Sequence, residues 1–132
     1  MAKSKQALPP AWDWQSRNIR DWNTTTFRSY LGHMHEQHYG IPYVSRSIKQ
    51  EVGMLSNAIK EYGKEVVKAF IDACFTEYKP SPQYPSLTFG FMYAYMRERV
   101  LVRVLVDKAR RDRAAMAAQE AIMSEEEITN WL

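Results

Sequence analysis

Residues 96–113, MRERVLVRVLVDKARRDR, can be wound in two ways, and only one sorts their chemistry. Val100, Val102, Val104 and Val106 alternate with Leu101, Arg103 and Leu105, which by β-propensity alone suggests a strand. Wound instead at about 100° per residue, Leu101, Val104 and Leu105 gather on one side, with Tyr93 and Val100 at its margin. Arg99, Arg103, Arg110 and Arg113 then gather on the other side, with Lys108 and Arg111 as outer neighbours. Arg97 falls near the apolar side and reads as structural. A helix divided in this way needs a core along one face only. That requirement points to an all-α chain in which several amphipathic helices share one interior.

The rest of the chain supplies those helices. In NTTTFRSYLGHMHEQHYG, Asn23 to Thr25 offer caps, and Phe27, Tyr30, Leu31, Met34 and His38 follow helical spacing. Gly40 and Pro42 close that segment. SRSIKQEVGMLSNAIKEYG can start at Ser45 or Ser47, has Ile48, Val52, Leu55, Ile59 and Tyr62 as its stripe, and ends at Gly63. KEVVKAFIDACFTEYKP follows at once, with Val67, Phe70, Ile71, Cys74 and Tyr78 facing inward. Two helices meeting at Gly63 and Lys64 must turn sharply. The second has a Phe- and Ile-rich surface with Lys68 as its main interior cation, which argues against a base-reading helix. Pro80, Pro82 and Pro85 punctuate a rigid loop, after which Ser86 is placed to cap a long helix.

The expected fold is therefore a compact bundle of four main helices, near 24–39, 46–62, 65–78 and 87–113. Its core should comprise Phe27, Leu31, Leu55, Ile59, Phe70, Ile71, Leu101 and Leu105. Residues 1–11, with Lys3 and Lys5 ahead of Pro9 and Pro10, read as a flexible arm. Residues 12–113 form a single domain, and residues 114–132 a helical extension with an acidic tail. Trp12, Trp14 and Trp22 lie close together around Arg17 and Arg20. They read first as a hydrophobic clasp onto the core and second as a stacking platform for unpaired bases.

The tail SEEEITNWL opens with the Ser124–Glu127 capping-box spacing and offers Ile128, Trp131 and Leu132 as a short apolar face. It reads equally as a docking peptide for another protein and as a segment folded back on its own domain. The net charge of +3 divides into +7 before residue 114 and −4 after it, because the tail has Glu120, Glu125, Glu126 and Glu127 and no Lys or Arg. A basic body suits an anionic partner, and the acidic tail could compete for the same cations. Uneven charge is also ordinary in helical proteins.

Catalytic signatures are missing from the sequence. It has no glycine-rich phosphate loop, no nucleophile elbow and no clustered acidic pair. His33, His35 and His38 lack the converging spacing of metal ligands, and read as partly exposed polar positions with His38 at the apolar edge. The lone Cys74 sits in an apolar run and reads as a buried small hydrophobe in a reducing setting. No apolar run is long enough to span a membrane, and the start lacks the apolar stretch of a secretory signal. The expectation is a soluble, cytoplasmic protein that is not an enzyme and needs no cofactor.

Residues 62–101, YGKEVVKAFIDACFTEYKPSPQYPSLTFGFMYAYMRERVL, combine a helix ending in Tyr-Gly with a second that closes on an aromatic residue and Tyr. A Pro loop, Phe-Gly-Phe and a Tyr-x-x-x-Arg helix follow. This pattern resembles small phage-type proteins of Gram-positive hosts that accompany replication or gene control, such as replisome organisers and helicase loaders. The resemblance implies a DNA-binding accessory role in the host cytoplasm and transfers no site residue. The matching surface would be Arg99, Arg103, Lys108, Arg110, Arg111 and Arg113 gripping phosphates. The alternative is a protein-interaction module, an adaptor, loader or inhibitor of a host or phage protein, working through Ile128, Trp131 and Leu132. A homodimer that buries Val102 and Val106 belongs with that alternative.

Overall fold

In the computed structural model, which describes residues 7–131, every regular element is helical. Helix α1 is Thr24–Tyr39, α2 is Ile48–Tyr62 and α3 is Lys64–Glu77. The last helix, α4, runs through residues 89–131, a length of 43 residues. No helix among the described residues is long and apolar enough to cross a membrane.

Local chemistry sets the starts and stops. Asn23 caps α1 reciprocally: its Oδ1 accepts from the Thr26 amide at 3.0 Å, and its own amide donates to Thr26 Oγ1 at 3.2 Å. Gly40 ends α1 at φ 72°, in the left-handed region that a side chain disfavours. Of the two candidate serines, Ser47 caps α2 by accepting from the Gln50 amide. Gly63, at φ 89°, closes α2 and opens α3, so a single residue makes the sharp turn. Thr88, not Ser86, caps α4, accepting from the Phe91 amide at 3.2 Å. It is the last residue in extended conformation before the helix, as a cap must be.

Helix α3 is the hub. It touches α1, α2, α4 and the 3₁₀ turn Ile19–Asp21, and buries Val66, Val67, Phe70, Ile71, Cys74 and Phe75. Most of the expected core is there: Phe27, Leu31, Leu55, Phe70, Ile71 and Leu101 are buried, whereas Ile59 and Leu105 pack only against the edge. Each fully buried large side chain contributes about 1.5–3 kcal/mol relative to exposure.

Helix α2 differs from its expected stripe. Ile48 is exposed, and the inward residues are Glu51, Leu55 and Ala58. The helix is rotated so that a carboxylate faces inward, because that carboxylate has partners. Tyr43 and Ser45 donate to Glu51 Oε2 at 2.7 and 3.0 Å, and Arg28 Nε lies 3.5 Å from Oε1. The Tyr43 hydroxyl also accepts from the Phe89 amide at 2.9 Å. This network ties α1, the 40–47 loop, α2 and the start of α4 together. Burial and the neighbouring Glu51 raise the Tyr43 pKa above the usual tyrosine range.

The tryptophan segment is a clasp for two of its three rings. Trp22 is buried, with its indole N–H donating to the Arg17 carbonyl at 3.1 Å. Trp14 packs edge-on against Trp22 and Tyr30 and tilts onto His33. Trp12 stays exposed. Arg17 Nε donates to the Pro9 carbonyl at 2.8 Å and so tethers part of the expected arm, whose Lys3 and Lys5 lie outside the described residues.

Candidate interaction surface on the long helix

Helix α4 is wound in two ways. After one α-turn at Phe89–Phe91, Met92–Leu101 forms a π-helix, and Val102–Trp131 is α-helical. A π-ladder bonds i to i+5 and turns less per residue than an α-helix. Four α-helical residues overshoot a full turn by about 40°; in the wider ladder the overshoot disappears. Met92, Met96, Val100 and Val104, each four apart, therefore all reach the core. Val100 is fully buried, not marginal, and the two methionines were absent from the expected core. Their signal was the four-residue spacing, which straight α-winding spreads around the helix.

Leu105 is half-buried and Lys108 is the last residue partly covered by the domain. From Ala109 to Trp131 every described residue is exposed. At 1.5 Å per residue the free part extends roughly 35 Å from the domain. The helix runs on without a break past Arg113, and no new helix opens at Ser124, which lies within the same winding of α4. Ala114, Ala115, Ala117 and Ala118 have the highest helix propensity and no Gly or Pro interrupts, so the Ser124–Glu127 spacing has no helix end to cap.

The six cations expected to form one surface fall into two groups. Arg99 and Arg103 stand beside the C-terminal end of α3, where Arg103 pairs with Glu77 and Arg99 lines a shallow groove with Glu77, Tyr78 and Lys79. That end carries the partial negative charge of the helix dipole and has no basic residue in its own last turn. Arg103 thus braces α4 against α3, with Arg99 beside it. Lys108, Arg110, Arg111 and Arg113 lie further out. Lys108 pairs with Asp112 at 2.7 Å and Arg110 with Asp107 at 3.7 Å, both along the same exposed helix. Such pairs contribute about 0.3–0.5 kcal/mol and yield readily to another anion. Among the described residues, Arg99, Arg111 and Arg113 have no carboxylate partner. Arg97 sits 4.1 Å over the Tyr93 ring, a cation–π contact within the helix.

Beyond the basic block the helix displays Met116, Ile122, Met123, Ile128 and Trp131, the last at 85% exposure. Ile128 and Trp131 reach no part of the domain, and Leu132 lies outside the described residues. Nearer the domain, Val102 and Val106 are about half exposed, at 54% and 47%.

The remaining polar candidates are accounted for by packing. His35 is buried, correcting its expected exposure; its Nδ1 lies 3.1 Å from the Ile41 carbonyl oxygen, between the Tyr39 and Tyr43 rings. His38 is exposed and stacks on Phe75, and His33 faces Trp14. Among the described residues, no three His, Cys, Asp or Glu side chains stand where they could share a metal. Cys74 is fully buried, and burial pushes its thiol up to about 12 against the opposing pull of Arg99 and Arg103. A groove of about 510 Å³ runs between the 44–47 loop and residues 84–95, with Glu51 in its wall; Oε2 of that residue is already engaged by Tyr43 and Ser45.

Comparison with protein-family models, with curated proteins and with solved structures finds no match for this chain.

Proposed function

We propose that this chain is a non-catalytic interaction protein whose helical domain carries the free half of α4 as a docking arm for another protein. One observation carries the reading: residues 109–131 form a continuous helix in which every residue is exposed, and it presents Met116, Met123, Ile128 and Trp131. Exposed large apolar groups on a helix without a packing face mark an unfilled contact. The domain below supplies rigidity, through the core residues of α4 and the Arg103–Glu77 brace. Affinity capture with the full chain and with a chain lacking residues 124–132 tests this. Loss of the captured protein on truncation supports the docking arm; unchanged capture counts against it.

The second reading is a DNA-binding accessory protein of the phage type, favoured by the absence, among the described residues, of carboxylate partners at Arg111 and Arg113. In that reading Lys108, Arg110, Arg111 and Arg113 hold phosphates, and each neutralised phosphate adds about one unit to the salt slope. Arg103→Glu would also repel Glu77, so it mixes binding with stability. Arg111→Glu/Arg113→Glu is the cleaner probe. A salt-dependent affinity for duplex or single-stranded DNA that this variant abolishes would favour DNA over a protein partner.

A further inference from the structure

We infer that the partner of the α4 arm is a second copy of this chain, docked antiparallel along the arm about a two-fold axis near residues 116 and 117. The inference rests on the reading of α4 as a protein-docking arm and adds the identity of the partner.

Charge order is the first argument. The basic block, Lys108 to Arg113, precedes an alanine-rich centre, and the acidic block, Glu120 to Glu127, follows it. Arg113 and Glu120 are equidistant from the midpoint between Met116 and Ala117. An antiparallel copy therefore sets Arg113 against the second copy's Glu120 and, by symmetry, Glu120 against its Arg113. Lys108 falls level with Glu125 in the same register, whereas Arg110 and Arg111 fall level with Met123 and Ile122, so the Arg113–Glu120 pair, made twice, is the charge match on the shared face. A parallel copy would set basic against basic and acidic against acidic, which repels. One helix thus carries both halves of its own complement.

Shape is the second argument. Steps of three and four residues place Val102, Val106, Ala109, Met116, Ala117 and Trp131 along one face, with Arg113, Glu120, Ser124 and Glu127 between them. Alanine at the centre lets two helices approach closely. The same register that matches the charges brings Trp131 of one copy against Val102 of the other. Both are exposed in the single chain, at 85% and 54%. Val106 then meets the turn containing Ile128. The pairing covers apolar groups at both ends of the arm at once.

Where this face nears the domain, Val102 and Val106 are both exposed. The arm cannot satisfy itself within one chain, because the uninterrupted helix carries Trp131 away from Val102.

Light scattering on the full chain tests the pairing. The expected mass at micromolar concentration is twice the 15.5 kDa of one chain. Arg113→Glu and Glu120→Arg should each weaken the dimer at least tenfold, because each acts at two symmetric contacts; the double variant should recover most of that loss. Both positions are exposed and lie beyond the domain, so the domain should stay folded, as circular dichroism will verify. Orientation is read by mixing Val102→Cys chains with Trp131→Cys chains. Disulfide formation between the two kinds is expected, with none among Val102→Cys chains alone.

Single-chain mass at 100 μM overturns the self-pairing. If that monomer still captures another protein through residues 124–132, the docking arm stands and only its partner was misassigned; if truncation also changes nothing, both readings fall. A dimer insensitive to both charge swaps, or one that crosslinks Val102 to Val102, overturns the antiparallel register.

Discussion

The two halves of α4 show how differently one helix can be stabilised. Along residues 92–104 the helix departs from α-winding to place Met92, Met96, Val100 and Val104 in the core. Packing outweighs the regular hydrogen-bond geometry there. Along residues 109–131 the winding is regular, the composition is helix-prone, and no side chain is covered. An isolated helix of that length is marginal in water, and its stability comes from propensity, local ion pairs and continuity with the anchored half. The inner half is held by what it touches and the outer half by what it is made of. Only the second arrangement leaves a surface free for a partner.

The sharpest way to break this comparison is to truncate a side chain in each half. Phe89→Ala, at the foot of α4, should cost about 3–5 kcal/mol in chemical denaturation, since Phe89 is fully buried between Phe70 and Tyr93. Met116→Ala should shift the same transition by less than about 0.5 kcal/mol. Equal losses would mean that the arm is packed against something in the single chain.

Glu51→Ala ranks next, at about 3 kcal/mol, because it leaves Arg28, Tyr43 and Ser45 without their shared acceptor. It should also loosen the start of α4, where Tyr43 accepts from the Phe89 amide. Hydrogen exchange should show faster opening at residues 89–96 with no change in the arm.

Alkaline pH should weaken the domain that anchors the inner half of α4. The Cys74 thiol, at about 12 when folded, resists ionisation that the unfolded chain undergoes from its ordinary value of 9.0. The unfolded state therefore binds fewer protons in that window, and stability falls as pH rises. The contribution is whole below pH 9 and lost progressively toward pH 12. Cys74 alone should remove about 2 kcal/mol between pH 8 and 10.5. Tyr30, raised by burial and by its hydrogen bond to Asp72, and Tyr43 act in the same direction. Cys74→Ala, or Cys74→Ser if alanine leaves too large a void, should flatten the first part of the decline.

The smallest effect on the domain should come from Ala117→Pro. Proline breaks the helix where nothing packs, so the unfolding midpoint of the domain should move little while amide exchange across 109–131 accelerates. Any interaction that needs a continuous arm should be lost.

Much of the architecture was legible in the residues. Gly40, Gly63 and the Pro80–Pro85 loop punctuate the chain, and 3.6-residue periodicity outlines α1 and α3 correctly, because both signals arise from local backbone geometry. The rotation of α2 was not legible. A hydrophobicity pattern cannot turn Glu51 inward, since the reward comes from Arg28 and Tyr43 in other segments. The same holds for His35, which is buried by contact with Ile41 and two tyrosines. The candidate surface was half legible: the basic and acidic blocks are plain, but their division into a brace and a free arm was not.

Composition and periodicity by themselves determined that the chain is helical, where three of its helices lie and that charge reverses along the last one, because each depends on neighbours within a few residues. Tertiary structure alone decided that Met92–Leu101 widens into a π-helix, that Arg103 is tied to Glu77 and that α4 leaves the domain near Lys108. Those outcomes depend on where α3 lies, and contacts between distant segments leave no periodic trace in the sequence.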